Sequence, residues 1–208
     1  MRVKICGLTR KEDAELAQGL GAWALGFIFT PKSKRHITPE NAAPIVASLD
    51  APAIGVFVNQ TDDAIEIAGK IGLKGIQLHG DETPEECQKA RANFSGILIK
   101  ALRPQNENDL AAIETYKDTV DYVLLDAAAG GQYGGTGHTG DWGIAAKAAA
   151  FGIPVILAGG LDAQNIAKAC AQVRPYAADL ASGVEASPGV KDPGKLKALF
   201  SAIKGEEE

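Results

Sequence analysis

The sequence predicts a single-domain α/β fold, a (β/α)8 TIM barrel, and two observations lead to this prediction. Short apolar segments rich in β-branched residues alternate with Ala-, Glu- and Lys-rich segments of helical period, and eight of each can be counted. The chain has 208 residues, and α/β barrels of roughly 200–250 residues form one domain. A flavodoxin-like or Rossmann sheet is the alternative fold, but no GxGxxG motif follows the first strand.

The eight predicted strands are short apolar runs, as is typical of strands in a parallel sheet that is covered on both faces. They comprise residues 2–6, 24–29, 53–58, 75–79, 96–101, 122–126, 154–158 and 177–181. A helix is predicted after each strand, and the eight helices comprise residues 10–20, 39–49, 62–71, 84–93, 106–116, 141–151, 162–171 and 192–203. Strict alternation of this kind favours a closed barrel.

Several helix boundaries carry local signals. A capping residue stands directly before a proline at three helix starts, in the pairs Thr38-Pro39, Thr83-Pro84 and Asp192-Pro193. A glycine suited to a left-handed cap follows three helix ends, at Gly21, Gly72 and Gly152. We expect residues 1–204 to form the barrel and the acidic residues 205–208 to be a frayed tail.

Composition and charge argue against several classes of function. With 21 basic and 26 acidic residues the formal charge is −5, which argues against a nucleic-acid-binding surface. The N-terminal residues lack a continuous apolar segment, so neither export nor a membrane association is expected. Cys6, Cys87 and Cys170 are far apart and form no CxxC, which fits neither a metal site nor a disulfide scaffold. We expect reduced thiols, a cytoplasmic protein and a monomer, with a homodimer as the alternative.

Polar side chains are predicted at the C-terminal ends of several strands, the rim at which barrel enzymes place their active sites. Because side chains alternate along a strand, Lys4 and Cys6 share one face of the first strand, and Asp126 ends the sixth. Gln77 and His79 lie together at the end of the fourth strand, where we expect them to contact a substrate. A structural rim histidine and a general acid or base are the alternatives for His79.

An inward lysine needs a partner, and two are available to Lys4. Asp179 is predicted to face inward on the eighth strand, so the two residues can form a structural ion pair, which is the interpretation we favour. Alternatively, Lys4 stabilises a Cys6 thiolate, because an ordinary thiol is only a few per cent ionised at pH 7. Cys6 is a small buried hydrophobic residue if it has no catalytic role.

Two glycine-containing loops are candidates for phosphate binding. Gly159 and Gly160 end the seventh strand, while Ser182 and Gly183 follow the eighth. Barrels often hold phosphate between these two loops, because glycine lets backbone N–H groups approach an anion. Tight turns that need positive φ are the alternative explanation of these glycines.

Two further segments are candidates for ligand binding. The glycine-rich residues 127–137 predict a mobile lid, with Gly135 near the ligand, because long loops in compact domains are commonly functional. A basic stretch covers residues 30–36, where Arg35 can clamp a carboxylate with two parallel hydrogen bonds. A solvated charged surface is the alternative for this stretch.

Nine segments, in order along nearly the whole chain, resemble the phosphoribosylanthranilate isomerase family. They are Lys4-Ile-Cys-Gly-Leu-Thr9, Pro31-Lys-Ser-Lys-Arg35, Val56-Phe-Val-Asn59, Gln77-Leu-His-Gly80, Leu125-Asp126, Gly134-Gly-Thr-Gly137, Asp141-Trp142, Leu157-Ala-Gly-Gly-Leu161 and Ser182-Gly-Val-Glu185. The chain departs from the family at Gly140, where an aromatic residue is usual, and at Leu180-Ala181, where Val-Ser is more common. Histidine-pathway isomerases normally show internal twofold repetition, which is not visible here.

The resemblance implies an Amadori rearrangement of N-(5-phosphoribosyl)anthranilate to 1-(2-carboxyphenylamino)-1-deoxyribulose 5-phosphate in tryptophan biosynthesis. It implies that Asp126 is the general acid that opens the sugar ring and that Cys6 is the base that removes the C2 proton. It also implies that Arg35 binds the anthranilate carboxylate and that the loops at Gly159-Gly160 and Ser182-Gly183 hold the phosphate. No metal and no cofactor are expected, since this isomerisation needs only one proton donor and one acceptor. The alternatives are a non-catalytic phosphoribosyl-ligand-binding barrel and another phosphosugar isomerase, such as the histidine-pathway enzyme.

Overall fold

The computed structural model of the chain describes residues 1–126 and 142–204 and contains a closed barrel of eight parallel strands. The strands are β1 (Arg2–Ile5), β2 (Ala24–Ile28), β3 (Ala53–Phe57), β4 (Gly75–Leu78), β5 (Ile97–Leu102), β6 (Tyr122–Asp126), β7 (Val155–Ala158) and β8 (Ala177–Leu180). Each strand pairs with its neighbours in sequence, and β1 closes the barrel against β8. The predicted TIM barrel is therefore confirmed.

Helices cover the outside of the barrel. They are α1 (Lys11–Leu20), α2 (Pro39–Val46), α3 (Thr61–Ile71), α4 (Pro84–Asn93), α5 (Ile113–Tyr116), α6 (Trp142–Lys147), α7 (Ile166–Val173) and α8 (Pro193–Lys204). The predicted caps are present: the Thr38 and Thr83 side chains each accept a backbone hydrogen bond at the start of their helix, and Asp192 Oδ1 accepts from two N–H groups. Gly21, Gly72 and Gly152 all have positive φ after their helices.

Four predicted helices differ from the observed ones by more than one residue, and the second of the eight ends at Val46 instead of at residue 49. The fifth and sixth each contain a 3₁₀ segment, at Glu107–Ala112 before α5 and at Ala148–Phe151 after α6, in keeping with the frequency of such turns at helix ends. The seventh starts at Ile166 because the Asp162 carboxylate accepts hydrogen bonds from the N–H groups of Gln164 and Asn165, which makes the preceding residues a turn.

A 3₁₀ turn (Ser182–Val184) and a small antiparallel hairpin of β9 (Glu185–Ser187) and β10 (Val190–Lys191) follow β8. The prediction missed this hairpin, because its strands have only three and two residues and are too short for an alternation signal. The hairpin lies in the chain between the phosphate-loop candidate and α8, and it brings Lys191 and Glu185 close to the C-terminal end of β1, where Lys191 donates to Cys6 O.

Apolar side chains form two layers on either side of the barrel wall. Val3, Ile5 and most other outward residues pack against the helices, whereas a smaller cluster that includes Ile54, Leu124 and Ile156 fills the interior. Three aromatic rings close the N-terminal end of that interior, with ring centroids 4.8 to 5.5 Å apart, and they belong to Trp23, Tyr122 and Tyr176. The interior is thus packed from this end, and the polar groups are left at the opposite rim.

Among the described residues, no helix has the length and the apolar character that crossing a membrane would require. The predicted tail, residues 205–208, lies outside the described residues.

Candidate active site

A cavity of about 900 Å³ opens at the C-terminal end of the barrel. Its volume is within the range of small-molecule sites, roughly 300–1,000 Å³. Eight of the predicted site residues line it, namely Cys6, Arg35, Gln77, His79, Asp126, Gly159, Gly160 and Ser182. Gly183 is not among the lining residues. It packs against the preceding loop, so closely that an ideal Cβ would be 2.0 Å from the Leu161 carbonyl oxygen. The predicted lid, residues 127–137 with Gly135, lies outside the described residues, and so does Gly140.

Cys6 directly follows β1, and its thiol is almost fully buried, with 5% of the residue exposed. Burial, the largest influence, raises the pKa of this thiol above its ordinary value, although the positive charges of Lys4 and Lys191 act to lower it. Desolvation therefore disfavours the Cys6 thiolate, whereas the charge of Lys4 favours it, as the alternative role considered for Lys4 requires.

Lys4 is completely buried beneath Cys6, and its ammonium donates a hydrogen bond of 2.9 Å to Asp179 Oδ1. This distance confirms the predicted ion pair. Burial lowers the pKa of Lys4, but the charges of Asp179 and Cys6 outweigh that effect and the pKa is raised overall. The positive charge of Lys4 also acts to lower the pKa of the Cys6 thiol, so the structural and the thiolate-stabilising roles considered for Lys4 are compatible.

The close approach of Lys4 and Cys6 depends on Gly26 in β2. An ideal Cβ at Gly26 would lie 2.8 Å from Cys6 Sγ and 3.1 Å from Lys4 Nζ. Sulfur and ammonium thus occupy the space that any other residue at this position would fill. The strand residue opposite the thiol is part of the site although it carries no functional group.

Asp126 ends β6 with 5% of its surface exposed, and its Oδ2 lies 3.7 Å from His79 Nε2. Gln77 Nε2 donates to His79 Nδ1 at 2.7 Å, which places the proton of a neutral His79 ring on Nε2, facing Asp126. The Gln77 Oε1 atom is buried and has no hydrogen-bond partner among the described residues. It is therefore an acceptor at the cavity wall.

The two loops predicted to bind phosphate lie next to each other at the rim. Gly159 and Gly160 adopt positive φ of 95° and 65°, a conformation that glycine adopts without strain. The Ser182–Val184 3₁₀ turn packs against Leu161 of the preceding loop. The two interpretations of these glycines are therefore compatible: Gly159 and Gly160 form a tight turn with positive φ, and that turn lines the cavity.

Arg35 lies in the loop after β2 and makes a bidentate ion pair with Glu185. Its Nε donates to Glu185 Oε1 at 2.8 Å, and its Nη2 donates to Oε2 at 2.7 Å. These hydrogen bonds, the largest influence, raise the pKa of Arg35 further. The aliphatic part of Arg35 packs against Gly7, whose hypothetical Cβ would be 2.5 Å from Arg35 Cδ.

The sequence did not predict that Glu185 and Lys191 form a buried ionic cluster with Arg35. Lys191 Nζ donates to Cys6 O at 2.6 Å, to Glu185 Oε1 at 3.0 Å and to Ala181 O at 3.2 Å. Burial of Glu185 raises its pKa, but hydrogen bonds from Arg35 and Lys191 outweigh this and the pKa is lowered overall. The sequence signal for this cluster of Arg35, Glu185 and Lys191 is the position of Lys191. It is a charged residue two positions after Gly189, in the segment that connects the eighth strand to the last helix.

Comparison with known proteins gives the family. The family described as "N-(5'phosphoribosyl)anthranilate (PRA) isomerase" matches residues 3–202. The chain belongs to this family. The N-(5'-phosphoribosyl)anthranilate isomerase of Geobacter sulfurreducens is 45% identical over 208 residues, which cover 99% of each chain.

Solved structures agree with this assignment. The crystal structure of phosphoribosyl anthranilate isomerase from Thermotoga maritima has a TM-score of 0.90 and 39% identity, covering 99% of each chain. A further crystal structure of a phosphoribosyl anthranilate isomerase is a complex with reduced 1-(o-carboxyphenylamino)-1-deoxyribulose 5-phosphate, with a TM-score of 0.87, 38% identity and 99% coverage of each chain. The chain is therefore an isomerase of tryptophan biosynthesis with the fold of this family.

Proposed function

We propose that the protein rearranges N-(5-phosphoribosyl)anthranilate with Asp126 as general acid and Cys6 as general base. The observation that supports these roles is the presence of both side chains on the wall of one cavity, although Cys6 follows β1 and Asp126 ends β6. An aldose-to-ketose rearrangement needs one group to give a proton and another to take one, each contributing about 10²–10⁴-fold to the rate.

The first step opens the sugar. Asp126 donates its proton to the furanose ring oxygen, the C1–O bond breaks, and the nitrogen lone pair forms a C1=N iminium. Asp126 is nearly buried, so its proton transfer takes place away from bulk water, where a nearby charge acts more strongly. His79 Nε2, at 3.7 Å from Asp126, is placed to donate a hydrogen bond to the resulting carboxylate or to the released hydroxyl.

The second step removes the C2 proton. The Cys6 thiol first loses its proton to solvent. The thiolate then takes the C2 proton, and the C–H electron pair forms a C1=C2 bond while the iminium electrons return to nitrogen. The enolamine then gains a proton at C1 and loses one from the C2 hydroxyl, so that product and substrate have the same composition. The positive charge of Lys4, which acts to lower the pKa of Cys6, favours the thiolate form during this step.

The remaining predicted residues bind the substrate. Arg35 binds the anthranilate carboxylate, and the loops containing Gly159, Gly160, Ser182 and Gly183 hold the phosphate with backbone N–H groups. Gln77 Oε1, buried and without a partner among the described residues, accepts a hydrogen bond from a sugar hydroxyl. We also propose that Gly135 contacts the ligand.

Turnover by purified protein tests these roles. Product formation from phosphoribosylanthranilate, generated in situ, should be rapid in the wild type and fall by at least about 10²-fold in Asp126→Asn and in Cys6→Ala. Both variants should still bind the reduced product analogue, because the substrate-holding residues are intact. Activity within a few fold of wild type in Cys6→Ala would remove the thiol from the mechanism, and the same result in Asp126→Asn would remove the carboxyl.

We further propose that the protein works in the cytoplasm as a monomer. Its three cysteines are free and buried, which suits a reducing compartment. Met1 is the one exposed large hydrophobic side chain within residues 1–126 and 142–204, and a stable dimer interface usually needs a larger apolar surface. Sedimentation equilibrium at micromolar concentration should give the mass of one chain, and a mass of two chains would contradict the monomer.

A further inference from the structure

We propose that Glu185, fixed by Lys191, is a positioning residue that orients Arg35 toward the substrate carboxylate. This inference rests on the proposed role of Arg35 and explains how a long, flexible side chain can supply carboxylate selectivity. Neither Glu185 nor Lys191 needs to touch the substrate for this role.

The geometry of the guanidinium carries the argument. Arginine can offer two bidentate edges, one formed by Nε and Nη2 and the other by Nη1 and Nη2. Glu185 occupies the first edge with contacts of 2.8 and 2.7 Å. The second edge is thus the one left for another carboxylate, and its direction is set by the plane that Glu185 imposes on the guanidinium.

Glu185 is itself held in place from three sides. Only 5% of its side chain is exposed, and Oε1 also accepts from Lys191 Nζ at 3.0 Å and from the Gly189 N–H at 3.2 Å. A buried carboxylate with this set of donors has little freedom to rotate. The fixed carboxylate therefore fixes Arg35.

Lys191 connects this pair with the rest of the site. Its side chain is fully buried, and its three ammonium protons have three acceptors, which are Glu185 and the carbonyl groups of Cys6 and Ala181. One lysine thus joins the residue before the phosphate loop, the backbone of the proposed base and the orienting carboxylate. The aliphatic stem of Arg35 packs against Gly7, the residue after Cys6, so carboxylate binding and proton removal share one rigid support.

The test measures how strongly each variant recognises the ligand carboxylate. Two reduced product analogues serve as probes, one with the 2-carboxyphenylamino group and one with a plain phenylamino group. The ratio of their dissociation constants is the carboxylate selectivity. In the wild type we expect a ratio of roughly 10–100, since a charge-assisted bidentate pair contributes in that range.

Glu185→Gln should reduce the ratio at least about fivefold, Arg35→Met should bring it close to one, and the Arg35→Met/Glu185→Gln double variant should match Arg35→Met. A purely structural role for Glu185 would weaken both analogues equally and leave the ratio unchanged. Glu82→Gln is the matched control, because Glu82 is also buried and paired with a buried lysine, Lys100, at 2.8 Å. Its ratio should equal that of the wild type.

Glu185→Gln leaves Lys191 buried without a carboxylate and can unfold the protein. The Glu185→Gln/Lys191→Met variant removes both charges and should fold, with the same loss of selectivity. A wild-type ratio that persists in these variants would overturn the positioning role while leaving the role of Arg35 intact. A ratio near one in the wild type itself would overturn the role of Arg35 and the positioning role with it.

Discussion

Replacing Gly26 by alanine tests whether the space between β1 and β2 sets the position of the thiol. The new Cβ would lie 2.8 Å from Cys6 Sγ, and ordinary van der Waals contact begins at 3.4 Å, so the sulfur must move by about 0.6 Å. The same carbon would lie 3.1 Å from Cys6 Cα and from Lys4 Nζ. The backbone around Gly26 cannot move far, because its neighbours in the barrel are buried.

The expected cost has two parts. Overpacking of a close-packed interior costs roughly 1–3 kcal/mol, and in a chain of this size each kcal/mol lowers the Tm by about 2–4 °C. A misplacement near 1 Å can cost about 10²-fold in rate, so a shift of about 0.6 Å predicts a loss of roughly 10-fold in kcat. Thermal unfolding and steady-state kinetics measure the two effects separately.

Two further variants show whether the effect of Gly26→Ala comes from its contact with the thiol. Gly19 lies on the exposed surface of α1 with nothing within 4 Å of a hypothetical Cβ, so Gly19→Ala should be stabilising by roughly 0.5–1 kcal/mol and keep full activity. In a Cys6→Ala background, Gly26→Ala should lose part of its destabilisation, because the sulfur is gone. Wild-type stability and kcat in Gly26→Ala would refute the reasoning.

Three more predictions follow from buried charge, thiol ionisation and backbone strain. Lys4→Met should lower the free energy of unfolding by about 3 kcal/mol or more, because Asp179 keeps a buried charge without its partner. Adding Asp179→Asn should restore part of this loss in urea titrations, and a loss below about 1 kcal/mol in Lys4→Met would contradict the ion pair. The rate of Cys6 alkylation by iodoacetamide, measured without ligand, should rise with pH to a midpoint above 9.0, the ordinary pKa of a thiol, because only the thiolate reacts and burial raises the pKa of Cys6. A midpoint below 9.0 would contradict the raised pKa. Arg174 directly follows α7 and has a φ of 52°, so Arg174→Gly should be stabilising by about 1 kcal/mol, and an unchanged or lower Tm would count against it.

The sequence predicted the barrel because the signals involved are local. Caps such as Thr83-Pro84, whose capping box is present in the structure, depend on residues a few positions apart. Alternation along β1 correctly placed Lys4 inward and Val3 outward, because successive side chains point to opposite faces. Convergence of Cys6 and Asp126 then follows from barrel closure, which brings the C-terminal ends of all strands to one rim.

The parts that could not be predicted depend on contacts distant in sequence. Arg35 and Glu185 are 150 residues apart, and no local pattern indicates that the β9–β10 hairpin brings them together. The ionisation of Cys6 was also beyond the sequence, because it is decided by the balance between desolvation and the charge of Lys4, and this balance depends on burial depth. Position along a strand shows which groups meet but not which charge state their surroundings favour.

A crystal structure of this chain with the reduced product analogue tests most directly whether a thiol and a carboxyl act on one sugar. The proposed mechanism predicts Cys6 Sγ at roughly 3–3.5 Å from C2 of the ligand, with an Asp126 oxygen within hydrogen-bonding distance of the former ring oxygen. It also predicts the phosphate between the loops at Gly159 and Ser182. A ligand bound in this pocket that reaches one of the two side chains but not the other would contradict the proposed pair of proton-transfer groups.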